Sequence, residues 1–118
     1  MSLTVLDCTL RDGGYYNNWD FEPETVRVYL KSMKDAGIDV IELGFRFQPK
    51  SRFLGAHAYT TDAYLKALEI PCGLRVGVMI NAADIVNHSE GPAAAINELF
   101  GLAEGSPVEL VRIASHFS

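Results

Sequence analysis

The amino-acid sequence predicts an α/β domain built on a parallel sheet. Short β-branched runs recur four times in the 118 residues, and amphipathic segments with helical spacing separate them. No linker, composition shift or low-complexity tract interrupts this alternation. Because strands that alternate with helices are joined by right-handed crossovers, the predicted sheet is parallel. The whole chain is therefore expected to form one β-α-β-α-β-α-β unit.

The expected strands are residues 4–8, 39–44, 74–80 and 108–114, and the expected helices are 23–36, 62–69 and 92–103. Pro23 suits the first turn of a helix, and Gly37 suits the left-handed position just beyond a helix end. Two architectures share this order: an open doubly wound sheet of the flavodoxin type, and four βα units of a (β/α)8 barrel. Length favours the open sheet, whereas the long polar loops after the first two strands favour the barrel. The pattern alone leaves both open.

The composition excludes two classes of partner. The formal charge is −5 and no Lys/Arg cluster is present, which argues against nucleic acid and anionic membrane surfaces. Apolar runs such as residues 76–80 are too short to span a bilayer, and residues 1–10 lack the features of a secretory signal. Cys8 and Cys72 lie in separate segments without metal-ligand spacing. We therefore expect free thiols in a reducing cytoplasm.

The stretch that carries chemistry follows the first expected strand. Arg11 and Asp12 leave the carboxyl end of that strand directly into the pair Gly13-Gly14. A carboxylate there can ligate a hard cation such as Mg²⁺ or Mn²⁺, and the guanidinium can hold a carboxylate or enolate oxygen in its fork. The same residues also fit a surface salt bridge in an ordinary glycine turn. The spacing alone does not decide between these readings.

Residues 7–13 (DCTLRDG) resemble the D-x-T-L-R-D-G signature of the pyruvate carboxyltransferase-like superfamily. That superfamily includes 4-hydroxy-2-oxovalerate aldolase, hydroxymethylglutaryl-CoA lyase, and isopropylmalate and homocitrate synthases. Residues 41–46 (IELGFR) are similar to its second-strand motif, and residues 111–116 (VRIASH) to the fourth-strand segment of the oxovalerate aldolase branch. The resemblance covers nearly the whole chain but only the N-terminal half of the family's barrel. It implies a parallel (β/α)4 half of a TIM barrel, belonging to a lyase of the aldolase type.

The resemblance also implies a reaction and a set of site residues. The enzyme would use Mn²⁺ or Mg²⁺ to cleave or form a carbon–carbon bond next to a 2-oxo acid or an acyl-CoA-like thioester. Arg11 would stabilise the enolate, Asp12 would ligate the metal, and Glu42 would position the substrate. The family's other metal ligands are a His-x-His pair on a late strand, and residues 1–118 contain no such pair. Tyr15 stands where oxovalerate aldolases have a catalytic histidine, so it is a candidate general acid, with packing against the barrel rim as the alternative.

Two more residues are candidates for substrate binding. Arg46 belongs to a loop with three cations within seven positions, which could attract an acidic substrate or simply be solvated. His116 follows the fourth strand at the end where a barrel has its active site, and contact with substrate and plain exposure are both open.

A half barrel would leave apolar sheet surface and the edge of the fourth strand uncovered. We therefore expect the isolated chain to self-associate through its open face or to flatten towards an open sheet. Because the resemblance places the other metal ligands on a late strand, the isolated chain is also expected to be inactive. The alternative is a non-catalytic ligand-binding or interaction module with a flavodoxin-like fold.

Overall fold

A computed structural model describes residues 2–101 and 103–115 of the chain. Its centre is one parallel sheet made of β1 (Leu6–Asp7), β2 (Val40–Phe45), β3 (Arg75–Asn81) and β4 (Val108–Ala114). The spatial order of the strands is β1-β2-β3-β4, so each strand lies beside its neighbour in the chain. In a flavodoxin-like sheet, the order of the strands reverses at a switch point. The order of β1 to β4 shows no such reversal. The predicted (β/α)4 half-barrel fold is confirmed.

The helices are distributed among all three crossovers. They are α1 (Thr9–Gly13), α2 (Pro23–Asp35), α3 (Ala56–Tyr59), α4 (Asp62–Ala67), α5 (Ala82–Val86) and α6 (Pro92–Phe100), with a 3-10 turn at Gly14–Tyr16. Helix α2 begins at Pro23, as predicted. Helices α1 and α3 are short and lie in the segments expected to be long loops after β1 and β2, and the short helix α5 follows β3 directly. Among the described residues, no helix has both the length and the apolar character needed to cross a bilayer.

One face of the sheet packs against the helices and forms the main core. Ile41 and Leu43 of β2 are fully buried against Val26 and Leu30, which lie on one side of α2. Val76 of β3 belongs to the same cluster. Each buried aliphatic side chain contributes about 2 kcal/mol relative to an exposed one. The amphipathic pattern of α2 therefore fixes which face of the sheet is the helical face.

A β-bulge in β2 changes the direction of the side chains that follow it. Glu42 pairs with Gly77 of β3, but Gly44 pairs with the next residue, Val78, so Leu43 is an extra residue in β2. An extra residue inverts the alternation of a strand from that point onwards. Without the bulge, Glu42 and Arg46 would lie on the same face. With it, Glu42 lies on the inner face of the sheet, while Arg46 points towards the helices.

The outer strand β4 carries the largest uncovered apolar surface of the sheet. Val111 and Ile113 on its helical face are 40% and 64% exposed, and Leu110 on the inner face is 37% exposed. Val111 and Ile113 line an apolar groove of about 400 Å³ between β4 and α6. The expected uncovered surface is thus present, and more of it lies on the helical face than on the inner face. Self-association remains a prediction.

Candidate active site

Three charged side chains from different βα units meet on the inner face of the sheet. Arg11 Nε donates to Glu42 Oε1 at 2.8 Å, while Arg112 donates from Nε to Oε2 at 2.6 Å and from Nη2 to Oε1 at 2.8 Å. Glu42 is on β2 and Arg112 is on β4, so this contact crosses β3. The residue of β3 in register with Glu42 is Gly77, which has no side chain to obstruct Arg112. The cluster therefore depends on three separated parts of the sequence.

Glu42 is a buried carboxylate whose charge is matched by two arginines. Its side chain is fully buried, whereas those of Arg11 and Arg112 are 13% and 42% exposed. Burial acts to raise the pKa of Glu42, but the hydrogen bonds from Arg112 and Arg11 outweigh it and hold the pKa below the ordinary value of 4.5. Glu42 is therefore ionised at neutral pH. Because one carboxylate faces two guanidinium groups, the cluster keeps a net positive charge.

Asp12 lies next to this cluster and faces solvent. Its side chain is 73% exposed, and Oδ1 lies 3.5 Å from Arg11 Nη1. Asp7 is different, since Tyr29 Oη donates to its Oδ1 at 2.6 Å on the helical side of the sheet. Asp12 thus fits the role of one ligand to a hard cation. Within residues 2–101 and 103–115, no group of three or more His, Cys, Asp or Glu side chains is arranged to hold a metal ion.

Aromatic side chains fix the backbone beside Arg11. Trp19 is 3% exposed, and its Nε1 donates to the carbonyl oxygen of Arg11 at 2.9 Å. The indole ring lies directly over Gly14, where an added Cβ would be 1.9 Å from Trp19 Cδ1. Asn18 and Trp19 both adopt left-handed backbone conformations, each with φ of 58°. For a bulky residue such a conformation costs about 1–2 kcal/mol, so the packing of Trp19 maintains it.

Tyr15 lies at the rim of the same aromatic cluster. Its ring centroid is 4.8 Å from that of Trp19 in an edge-to-face arrangement, and the side chain is 63% exposed. The ring of Phe45 lies 6.2 Å away and also faces the guanidinium of Arg11. Tyr15 therefore packs on the rim, while most of its side chain stays open to solvent. This placement is compatible both with a general acid that reaches substrate and with packing against the barrel rim.

The structure does not bring Arg46 to this cluster. Its guanidinium is buried on the helical side, where Nε donates to Thr60 O at 3.0 Å, Nη1 donates to Leu99 O at 2.9 Å and Nη2 pairs with Asp62. The bulge in β2 is the physical reason, because it turns Arg46 away from the face that carries Glu42. These contacts join the segment after β2 to α4 and α6. The other candidate, His116, lies outside the described residues.

Sequence reasoning gave no role to Arg112, which the structure places at the centre of the cluster. One signal was available: Arg112 stands between the β-branched residues Val111 and Ile113 in β4, two residues after Leu110. Side chains two apart on a strand share a face, so this arginine had to lie on the same face as Leu110. Its partner was not evident, because Glu42 precedes it by 70 residues. Cys8 and Cys72 are both free thiols; Cys8 is half-buried, whereas Cys72 is exposed rather than partly buried as expected.

Comparison with known proteins gives one informative likeness. No protein-family model matches the chain, and no curated protein matches it. A crystal structure described as the "N-terminal domain of a putative aldolase from Bacteroides vulgatus" superposes with a TM-score of 0.79 at 37% sequence identity. The match covers 94% of this chain and 35% of that one, so this chain spans about a third of the other's length. Over nearly its whole length, the chain has the fold of an aldolase-like N-terminal domain.

Proposed function

We propose that this chain forms part of a divalent-metal-dependent lyase of the pyruvate carboxyltransferase-like superfamily. The reaction would cleave or form a carbon–carbon bond next to a 2-oxo acid or an acyl thioester. The observation that carries the proposal is the position of Arg11 and Asp12 at the carboxyl edge of a parallel sheet, with Arg11 held by the buried Glu42. The signature in residues 7–13 and the likeness to an aldolase domain support the same assignment.

Arg11 is the residue that would stabilise the developing enolate. Its Nε donates a hydrogen bond to Glu42, and its backbone carbonyl accepts one from the indole of Trp19. Both the side chain and the main chain of Arg11 are therefore fixed before substrate binds. Donors that are already oriented towards developing charge lose little energy to reorganisation during the reaction. Removal of one such donor typically lowers kcat by about 100-fold to 1000-fold. Arg11 is expected to contribute on that scale.

Asp12 is the residue that would hold the metal, Mn²⁺ or Mg²⁺. A divalent cation bound there would polarise the keto oxygen of a 2-oxo acid. Asp12 is mostly exposed and lies at the 3.5 Å edge of contact with Arg11, whereas both oxygens of Glu42 are engaged with arginines, so Asp12 is the more accessible of the two carboxylates. Water, substrate oxygens and the family's His-x-His pair would supply the further ligands. Tyr15, whose side chain is mostly exposed, would donate a proton or a hydrogen bond to the substrate.

Titration with Mn²⁺ tests this proposal directly. Calorimetry on the wild-type chain, with and without oxalate as an enolate-like dianion, should detect weak binding that oxalate strengthens. Asp12→Ala should abolish this binding. Asp35→Ala is the matched control, because Asp35 is an exposed carboxylate on α2 that pairs with Lys31. Equal Mn²⁺ binding by the wild type and Asp12→Ala would refute a metal site at Asp12. If neither the wild type nor any variant binds Mn²⁺, the proposal that this chain can bind the metal is refuted.

A further inference from the structure

We infer that Arg112 is a positioning residue of the same site, which acts through Glu42 to fix the guanidinium of Arg11. The inference rests on the role proposed above for Arg11. Its basis is the contact of Arg112 with both carboxylate oxygens of Glu42, through Nε at 2.6 Å and Nη2 at 2.8 Å. Two parallel hydrogen bonds of this kind define the orientation of a carboxylate as well as its position.

Arg11 alone leaves the carboxylate of Glu42 incompletely restrained. It makes one hydrogen bond, from Nε to Oε1, and a carboxylate held by one oxygen can rotate about its terminal torsion. Arg112 binds Oε2 and also shares Oε1 with Arg11. The acceptor that orients Arg11 is thus itself oriented by Arg112. Because Glu42 is fully buried, water does not compete for these bonds.

The geometry favours a positioning role over direct contact with a ligand. The Nε and Nη2 edge of Arg112 is the edge best suited to grip a carboxylate, and Glu42 already occupies it. Arg11 lies beside Asp12, with Nη1 3.5 Å from Oδ1, whereas Arg112 reaches the cluster from the far side of β3. Glu42 therefore lies between Arg11 and Arg112. The orientation of Arg11 consequently depends on β4 being in place.

Oxalate binding without metal provides the experiment. Affinities are measured by calorimetry for the wild type, Arg11→Gln, Arg112→Gln, Arg112→Lys, Glu42→Gln and the double variant Arg112→Gln/Glu42→Gln. All measurements are made at a temperature where circular dichroism shows each variant to be folded. The matched control is Arg27→Gln, since Arg27 is an exposed arginine on α2 that pairs with Glu24.

We expect Arg112→Gln to weaken oxalate binding about tenfold. Loss of a residue that orients a ligand-binding side chain typically lowers affinity by at least this factor. Arg112→Lys should recover only part of this loss, because an ammonium group lacks the planar fork. If Arg112 acts through Glu42, the double variant should bind oxalate as weakly as Glu42→Gln alone, and no more weakly. The control Arg27→Gln should match the wild type.

The outcomes separate the two proposals. If Arg11→Gln loses oxalate binding while Arg112→Gln and Arg112→Lys keep wild-type affinity, the positioning role is wrong and the role of Arg11 stands. Losses that add in the double variant would also overturn the positioning role, since they would mean that Arg112 contacts the anion itself. If the wild type binds no oxalate, or if Arg11→Gln binds it unchanged, the proposed function fails and this inference fails with it.

Discussion

The buried carboxylate of Glu42 gives the most direct test of the structure. Glu42→Gln keeps the shape of the side chain but leaves Arg11 and Arg112 without their counter-charge. Removal of one member of a buried ion pair costs about 3–5 kcal/mol. The lower end applies here, because Arg112 is 42% exposed and can take up water, and because the amide retains one acceptor oxygen. We expect a loss of about 3 kcal/mol, which lowers the midpoint of thermal unfolding by about 12 °C for a domain of this size.

Circular dichroism during heating and urea unfolding at pH 7 measure this loss. Glu109→Gln is the control, because Glu109 is an exposed residue of β4 and the substitution changes the formal charge equally. Since the pKa of Glu42 is held below 4.5 in the folded state, its contribution is complete above that pH and is lost as the pH falls through the folded-state pKa. The difference between wild type and Glu42→Gln should therefore shrink in acid. If Glu42→Gln is as stable as the wild type at pH 7, the ion-pair cluster is refuted.

Three other features of the structure give expected results of their own. Gly14→Ala should lower the free energy of unfolding in urea by about 2 kcal/mol, because its Cβ would clash with Trp19. Gly13→Ala, whose Cβ would meet no atom within 4 Å, should lower it clearly less, and equal losses would contradict the packing of Trp19 over Gly14. Burial lowers the pKa of His57 despite its hydrogen bond to the Leu43 carbonyl, so stability should fall as the pH drops below 6.5. The variant His57→Gln should flatten that part of the urea-midpoint profile, and an unchanged slope would count against this assignment. Sedimentation of the wild-type chain should show self-association that Ile113→Lys reduces, and a monomeric wild type would remove the case for it.

The sequence was most informative about the sheet and the long helix. Four β-branched runs and one amphipathic segment sufficed, because strand and helix periodicities depend on local residue order. It was less informative about α1, which was predicted as a glycine turn. Thr9–Gly13 forms a helical turn there, and the backbone N–H of Asp12 donates to Cys8 O at 2.9 Å. The composition of so short a segment permits either conformation, and the surrounding fold decides between them.

The candidate site shows a clearer limit of sequence reasoning. The signature motif led to Arg11 and Asp12 and the second-strand motif led to Glu42, and the structure brings these three residues close together. Arg46 was expected to be a loop cation that attracts substrate or is solvated, but it is buried on the helical side. One extra residue in β2 inverts the strand before it, and that bulge depends on the register with β3, which the sequence of β2 does not contain. Arg112 was missed because its partner lies 70 residues earlier in the chain. Both errors concern pairing between strands.

The left-handed backbone at Asn18 and Trp19 has a consequence for protein engineering. Two successive residues with φ of 58° do not form a preferred loop by themselves, and the packing of Trp19 against Phe45 and Phe47 helps to hold this shape from outside the segment. A graft of residues 7–20 onto another barrel would carry the signature motif but not the surface that shapes it. The carbonyl of Arg11 would then lose its bond to the indole. A successful transplant would have to include the two phenylalanines at the end of the second strand.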